Sequence, residues 1–225
     1  MKIMILANID LGLYKFRREL VERLLEDNEV YICLPDGQYV ERLVSMGAKF
    51  VPCNLLERRG TNPLKEIKLM QYYRRTLSEI KPDLVLTYTI KPNLYCNSFK
   101  HKTYSIANIT GLGTAFNKKG LLNKIILFLY KKSFQNVNHI MFQNQANYNT
   151  FVSSKIPINS YSIIPGSGVN IDKFQYKPFE KHVKRNFLFA SRFVKEKGIQ
   201  LLINAIPEVL KKNKNVKINI EIKKG

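Results

Sequence analysis

The sequence MKIMILANIDLG, residues 1–12, predicts the fold class of this chain. Residues 3–7 form a continuous apolar run, and the polar side chains of Asn8 and Asp10 follow it before Gly12. An apolar run without alternating polar residues is typical of a strand covered on both faces of a parallel sheet. Gly12 would let a ligand approach the backbone, and the helix after it would offer free N–H groups to an anion. An ordinary turn between a strand and a helix explains the same residues.

Strand-like and helix-like segments alternate along the rest of the chain. Apolar residues recur at helical spacing over 14–27, whereas 30–34 is a short apolar run. Repeated strand–helix–strand units predict an α/β fold with a doubly wound, parallel, Rossmann-like sheet. The other predicted elements are helices at 39–46, 63–80, 117–134 and 199–212, and strands at 49–51, 83–88, 103–109, 139–143, 160–164, 186–190 and 216–222.

The region 170–185 differs from the segments around it, because it is rich in lysine and shows little periodicity. We interpret it as a linker between a first domain, residues 1–169, and a second domain, residues 186–225. The second domain would hold two strands and one helix in about 40 residues, too few to bury an independent core. We therefore expect a partial Rossmann-like domain whose open sheet edges need a cover.

The composition limits the classes of function. With 37 Lys and Arg against 17 Asp and Glu, the net charge of +20 favours polyanionic partners: nucleic acid, anionic lipid or phosphorylated substrates. A solvated lysine-rich surface explains the charge as well. Three widely spaced cysteines and three histidines without ligand spacing argue against a disulfide framework or a zinc site, so we expect a reduced, cytoplasmic protein without a metal. The apolar run at the start is too short for a signal peptide, and no run approaches the ~20 apolar residues of a membrane span.

Polar side chains and glycines follow three of the predicted strands. The carboxyl ends of parallel strands share one edge of a sheet, where ligands of such folds bind, so these residues predict a sugar or phosphate site. Each loop by itself is equally explained as a turn. The stretch GLGTAF at 111–116 lacks the third glycine of a dinucleotide-binding loop, which argues against a nicotinamide or flavin site. The candidate binding residues are Asn8, Asp10, Tyr88, Thr89, Lys91, Asn108, Thr110, Gly111 and Gly113.

The predicted helix over 120–134 carries two apolar stripes. Leu121, Leu122, Ile125 and Leu129 form one, which we expect to face the sheet. A second apolar stripe framed by lysines is typical of contact with an anionic membrane surface, and burial between neighbouring helices is the alternative. The candidate membrane residues are Lys119, Lys124, Ile126, Leu127, Tyr130 and Lys131.

Two motifs stand on either side of the linker: IPGSGVN at 164–170 and SRFVKEKG at 191–198. The first resembles a strand end that turns into a hinge. In the second, Arg192 offers a planar fork and Lys197 a point charge just before a predicted helix, whose N-terminus adds partial positive charge. This arrangement can bind a diphosphate. A basic loop on a basic protein is the alternative interpretation.

Together these motifs resemble glycosyltransferase family 4, whose members have the GT-B fold. The specific matches are residues 164–170 with Phe174, and 191–198, with a weaker match at 81–85. The stretches 87–95, 106–116 and 142–144 resemble the branch that builds bacterial capsular and exopolysaccharides. The resemblance covers nearly the whole chain.

The resemblance implies that the first domain binds the acceptor through the strand-end residues and the second binds a nucleotide-sugar. Arg192 and Lys197 match the pair that binds the donor diphosphate, and Gly12 matches the loop that closes on it from the acceptor side. The family reaction retains anomeric configuration and commonly needs no metal or other cofactor. Its pair of glutamates, seven residues apart, has no counterpart here. We therefore expect a truncated form with unknown catalytic residues, whose independent catalysis is in doubt.

The resulting hypothesis is a glycosyltransferase of bacterial surface-polysaccharide assembly, peripheral on the inner face of the cell membrane. It would move a sugar from a nucleotide-sugar, such as a UDP-sugar, to a lipid-diphosphate-linked acceptor. A second hypothesis is a non-catalytic acceptor-binding subunit, with another chain supplying the donor domain. A third is a basic nucleic-acid-binding protein, although the sequence shows no zinc finger, RNP-like aromatic pair or recognition helix.

Overall fold

The computed structural model describes residues 1–57, 62–112, 120–178, 184–193 and 197–223. The chain forms two compact units, Met1–Phe174 and Gln175–Gly225.

Strands and helices alternate through the first unit. The strands are β1 (Lys2–Leu6), β2 (Glu29–Leu34), β3 (Lys49–Pro52), β4 (Leu84–Tyr88), β5 (Tyr104–Ile109), β6 (His139–Phe142) and β7 (Tyr161–Ile163). The helices are α1 (Asp10–Leu25), α2 (Val40–Ser45), α3 (Pro63–Ile80), α4 (Ile90–Tyr95), α5 (Leu121–Phe134) and α6 (Gln145–Ser153).

All seven strands pair in parallel in the order β3-β2-β1-β4-β5-β6-β7. The order reverses between β1 and β4, and the register there places Leu6 opposite Thr87. The predicted doubly wound parallel α/β fold is confirmed. Ligands of such sheets bind where the strand order reverses, so a ligand site is expected at the carboxyl ends of β1 and β4.

Helices cover the sheet on two faces. Leu13 and Val21 of α1, with residues of α2, pack on the face that we call the α1 face. On the opposite face, Leu69 and Tyr73 of α3 pack on the central strands, and α5 and α6 pack on β5 and β6 around Phe142. The three cysteines are free and buried in this core.

Local chemistry explains where α3 begins and ends. The Asn62 side chain accepts a hydrogen bond from the Leu64 N–H at 3.0 Å, and Pro63 occupies the first turn, where its missing N–H costs nothing. Lys81 ends the helix in a left-handed conformation with φ 51°. Prediction and structure agree closely on this helix because its capping signals are strong.

The second unit contains β8 (Arg185–Arg192), α7 (Ile199–Lys212) and β9 (Val216–Lys223). The two strands pair in parallel, with Phe187 opposite Ile218. Large apolar side chains are exposed on both the sheet and the helix: Leu188 is 61% and Leu201 is 75% exposed. A parallel sheet is normally covered on both faces, so this unit presents apolar surface that another element would stabilise.

Replacing Phe142 with Ala tests the core beneath α5 and α6. Its ring is fully buried and lies 4.9 Å from that of Phe151, so we expect the free energy of unfolding to fall by about 3–5 kcal/mol in urea denaturation. The control is Phe128→Ala, because that ring is 63% exposed and its loss should change stability by about 0.5 kcal/mol or less. Equal losses from both variants would contradict this packing.

Candidate functional site

The candidate site lies at the carboxyl edge of the sheet, where β1, β4 and β5 end. Tyr88 and Asn108 stand opposite each other at the ends of β4 and β5. Asn8 and Gly12, half-buried, follow β1 at the same edge, with β1 paired directly to β4. The structure therefore brings together the three loops that the sequence indicated.

Asp10 organises the first of these loops. Its carboxylate is buried and accepts a hydrogen bond from the Tyr39 N–H at 2.6 Å, which ties the start of α1 to the segment before α2. A Cβ on Gly37 would stand 2.5 Å from Asp10 Oδ2, so only glycine lets the backbone pass this carboxylate. This contact gives Asp10 a structural role at the rim of the site.

Thr89 holds a backbone conformation that threonine rarely adopts. Its φ is 74°, and it directly precedes α4. A β-branched residue in this region is strained, and such strain is concentrated at binding and catalytic sites. The Thr89 hydroxyl oxygen is buried and has no hydrogen-bond partner in the described part of the chain.

Two asparagines extend this polar cluster between β4 and β5. Asn93 donates through Nδ2 to the main-chain oxygen of Asn108 at 3.1 Å, and both residues are more than nine-tenths buried. The side-chain oxygens of both are buried, and no described residue bonds to either of them. A buried acceptor left unpaired costs about 1–3 kcal/mol, and these oxygens and the Thr89 hydroxyl belong to residues at or just after the carboxyl ends of β4 and β5.

Arg17 brings a cation to the same edge. The backbone of α1 leaves helical geometry at this residue, with φ −142°. The guanidinium lies 4.3 Å from the centroid of the Tyr88 ring, a cation–π contact. Burial raises the pKa of Tyr88, and the neighbouring guanidinium opposes that shift, so the phenol is neutral at physiological pH.

The other predicted binding residues are placed differently. Lys91 is bound to Glu66 of α3 at 2.5 Å in a largely buried ion pair, so its charge is balanced within the protein. Thr110 and Gly111 are exposed after β5, and a Cβ on Gly111 would meet open space. Gly113 lies outside the described residues.

The orientation of α5 corrects part of the predicted membrane surface. Tyr130 is 1% exposed, stacked on Phe134 at 5.2 Å and set edge-on against Phe151, so it cannot contact a membrane. Ile126 and Leu127 are partly buried against the same core. The predicted second stripe therefore faces the protein, because its aromatic rings complete the cluster around Phe142.

The exposed side of α5 carries different apolar residues. Ile125, expected to face the sheet, is 47% exposed, and Phe128 is 63% exposed. Lys124, Lys131 and Lys132 are exposed on the same helix. At 100° per residue these five side chains fall within an arc of about 120°, which we call the basic face of α5. Lys119 lies outside the described residues.

The predicted donor residues belong to the second unit. Arg192 is the last residue of β8, and Lys197 is exposed two residues before α7 begins at Ile199. Gly198 has φ 75°, the left-handed conformation that glycine adopts readily. A loop between a parallel strand and the N-terminus of the next helix is a common place for phosphate binding. The pairing of these residues with Gly12 across a donor diphosphate stays a prediction.

Other kinds of site find less support in the described part of the chain. No three of its His, Cys, Asp and Glu side chains are grouped so that they could ligate one metal ion. None of its helices combines the length and the apolar character required to cross a bilayer.

The chain belongs to the glycosyl transferase 4-like family, whose model matches residues 2–144. It is 23% identical over 211 residues to the N,N'-diacetylbacillosaminyl-diphospho-undecaprenol alpha-1,3-N-acetylgalactosaminyltransferase of Campylobacter jejuni, covering 90% of this chain and 56% of that protein. It is 29% identical over 192 residues to an uncharacterized glycosyltransferase of Methanocaldococcus jannaschii, covering 74% of this chain and 46% of that one. The chain thus spans about half the length of these curated relatives.

Solved structures share the fold. The sucrose-phosphate synthase of Thermosynechococcus elongatus superposes with a TM-score of 0.66 at 11% identity, covering 99% of this chain and 71% of that one. A glycosyltransferase of Rickettsia africae gives 0.60 at 12% identity, covering 98% and 68%. A UDP-N-acetylglucosamine 2-epimerase gives 0.63, also at 12% identity, covering 97% and 62%.

Sequence patterns alone missed Arg17 as a member of the candidate site. Arg17 lies within a helical pattern that gives no sign of a kink, so nothing distinguishes it from the surface arginines beside it. Asn93 lies in the loop after β4 that the sequence indicates as part of the site. The strand register is what brings it against Asn108.

Substitution of Asp10 tests its structural role at the rim. Asp10→Ala removes the acceptor of the Tyr39 N–H, and we expect a loss of about 1–3 kcal/mol in thermal or urea unfolding. Asp10→Asn keeps an acceptor oxygen at that position and should lose distinctly less. If the two variants unfold alike, the hydrogen bond to Tyr39 is not what makes Asp10 important.

Proposed function

We propose that the protein is a glycosyltransferase that moves a sugar from a nucleotide-sugar, such as a UDP-sugar, to a lipid-diphosphate-linked sugar. The observation that carries the proposal is the set of buried polar residues Thr89, Asn93 and Asn108 at the carboxyl ends of β4 and β5, next to the point where the strand order reverses, in a chain of the glycosyl transferase 4-like family. Unpaired acceptors suit the hydroxyl groups of a sugar. The Campylobacter jejuni relative is named for a diphospho-undecaprenol-linked acceptor, which supports the same substrate class here.

The first unit would hold the acceptor and the second the donor. Arg192 and Lys197 would bind the donor diphosphate and stabilise the negative charge that develops on it as the glycosidic bond breaks. The N-terminus of α7 adds partial positive charge beside them, and Gly12 would approach from the acceptor side. Two fixed cations serve the role that a metal serves elsewhere, so we propose a metal-independent reaction with retention of configuration. Bacterial surface-polysaccharide assembly is the corresponding pathway class.

Alanine substitution of Arg192 and Lys197 tests this assignment. In the native protein that contains these residues, we expect transfer from a radiolabelled UDP-sugar to a prenyl-diphosphate-linked acceptor to fall at least a hundredfold, because two diphosphate contacts are lost. Acceptor binding should persist. The matched control is Lys211→Ala with Lys212→Ala, which removes the same charge from the far end of α7. Undiminished transfer by the first variant would refute the donor assignment.

We further propose that the basic face of α5 contacts an anionic membrane surface. A lipid-linked acceptor requires the protein to work at a membrane, and exposed apolar side chains among lysines suit the boundary between headgroups and acyl chains. Phe128 and Ile125 would enter that boundary, while Lys124, Lys131 and Lys132 would meet anionic headgroups. The protein would then be peripheral on the inner face of the cell membrane.

Co-sedimentation with phosphatidylglycerol-containing vesicles measures this contact. Replacing Lys124, Lys131 and Lys132 with Gln should weaken binding roughly a hundredfold, since each lysine contributes about 1 kcal/mol near an anionic surface. The control replaces Lys211, Lys212 and Lys214 with Gln, an equal change in net charge on α7 and the turn after it. If the two triple variants bind alike, the attraction comes from net charge and the face has no special role.

A second candidate function is an acceptor-binding subunit that works with a separate donor-binding chain. The exposed apolar residues of the second unit favour it, since Leu188 and Leu201 would be covered by such a partner. Purification of the native protein under gentle conditions distinguishes the two. A stoichiometric second polypeptide that is required for transfer supports the subunit, and full activity of a single polypeptide excludes it.

A further inference from the structure

A groove runs along α1 on the sheet face that this helix only partly covers. It encloses about 410 Å³, within the ~300–1,000 Å³ of typical small-molecule sites. One wall is formed by Phe16, Leu20 and Leu24 of α1, and Leu86 and Met141 form part of its floor on β4 and β6. The groove is thus an apolar channel that follows the direction of the strands.

The channel is open because of how the helices are distributed. In the described part of the chain, α3, α5 and α6 pack on the opposite face, whereas the core under α1 and α2 involves β1, β2, β3 and β4. Met141 on β6 is only half-buried, and Phe16 and Leu20 are 59% and 39% exposed. Contiguous apolar surface of this kind is typical of a binding groove.

The end of the channel at the carboxyl edge of the sheet is polar. It reaches Tyr88 and Asn108 at the carboxyl edge of the sheet, so it opens directly into the candidate acceptor site. Asn108 lines this end of the groove and is 6% exposed, and its buried side-chain oxygen has no hydrogen-bond partner among the described residues. Among the described residues that line the groove, Arg17 is the one cation, and Glu19 on the same helix accepts a hydrogen bond from Asn170 at 3.2 Å.

This order of chemical groups matches one kind of ligand. A prenyl-diphosphate-linked sugar has an apolar chain, then two phosphates, then hydroxyl groups. The groove offers an apolar channel, then the guanidinium of Arg17, then the polar residue Asn108. A guanidinium pairs with phosphate oxygens through its planar fork, and its stacking on Tyr88 holds that fork at the mouth of the channel.

We propose that the groove along α1 binds the first isoprenoid units of the lipid acceptor, with Arg17 on its diphosphate and Asn108 on its sugar. The inference rests on the proposed function and deepens it, because it assigns the acceptor lipid to a particular surface. Arg17 is a binding and specificity residue for the acceptor, whereas Arg192 and Lys197 serve the donor.

Calorimetric titration of the whole chain with farnesyl diphosphate tests the groove. We expect farnesyl diphosphate to bind at least tenfold more tightly than inorganic pyrophosphate, because only the former fills the channel. Arg17→Gln should weaken farnesyl diphosphate binding at least tenfold, and Leu20→Ser should weaken it without changing the pyrophosphate titration. The matched control is Arg23→Gln on the same helix, which pairs with Glu26 away from the groove and should bind as the parent does.

The inference is overturned if neither Arg17→Gln nor Leu20→Ser changes farnesyl diphosphate binding, or if pyrophosphate binds equally well. It is also overturned if, in the native protein, another polypeptide segment crosslinks to Leu20 or Leu24 and farnesyl diphosphate does not displace it, since the groove would then be a helix-docking surface. In transfer assays, Arg17→Gln should raise KM for a prenyl-linked acceptor and leave KM for the nucleotide-sugar unchanged. If these tests fail but the Arg192 and Lys197 variants lose transfer as expected, the proposal for the groove is wrong and the proposed glycosyltransferase function still holds.

Discussion

The parallel pairing of β4 with β1 on one side and β5 on the other is the constraint on which the rest of the structure depends. It is the point where the strand order reverses, so the loops after these strands diverge and leave a crevice between them. The register sets Tyr88 beside Asn108. The position of α4 then lets the Asn93 side chain donate to the main-chain oxygen of Asn108. Every residue of the proposed acceptor site takes its position from this register.

The crevice keeps features that do not serve stability. Thr89 is strained, and the buried side-chain oxygens of Thr89, Asn93 and Asn108 lack partners among the described residues. Folding alone would favour apolar or fully paired groups at these places, since unpaired buried acceptors oppose folding. Residues that lower stability without an evident structural gain are typical of functional sites. In this protein they lie at the edge of the sheet where α/β proteins bind ligands.

Much of the fold could be predicted from the sequence, because buried parallel strands are continuous apolar runs and α3 has strong caps. The helix α6 was missed because its asparagines, threonine and serine have low helix propensity, and α4 because Pro92 marks it as a loop. In α5, apolar residues occur on nearly every side of the helix, so their spacing does not show which side is buried. The predicted buried stripe is therefore on the wrong side. Contact with Phe142 and Phe151, distant in sequence, decides its orientation.

The site could be predicted only as a set of loops. Strand ends indicated Tyr88, Thr89 and Asn108, but which side chains remain unpaired follows from contacts that no local pattern encodes. Asp10 and Lys91 illustrate this difference: both are polar residues at the expected edge, and both are engaged by distant partners, Tyr39 and Glu66. Arg17 illustrates the reverse, an apparent surface residue that a kink in α1 brings over Tyr88.

The most direct test of the central claim is an NMR titration of the side-chain amides with a short-chain prenyl-diphosphate-linked sugar. If the crevice binds the acceptor, the amide resonances of Asn93 and Asn108 shift in a saturable manner. Those of Asn136, which donates to the Asn97 main-chain oxygen, and of Asn159, which donates to the Val137 main-chain oxygen, stay in place. Saturable binding that leaves Asn93 and Asn108 unchanged would contradict the account, because the sugar would then be recognised somewhere other than the point where the strand order reverses.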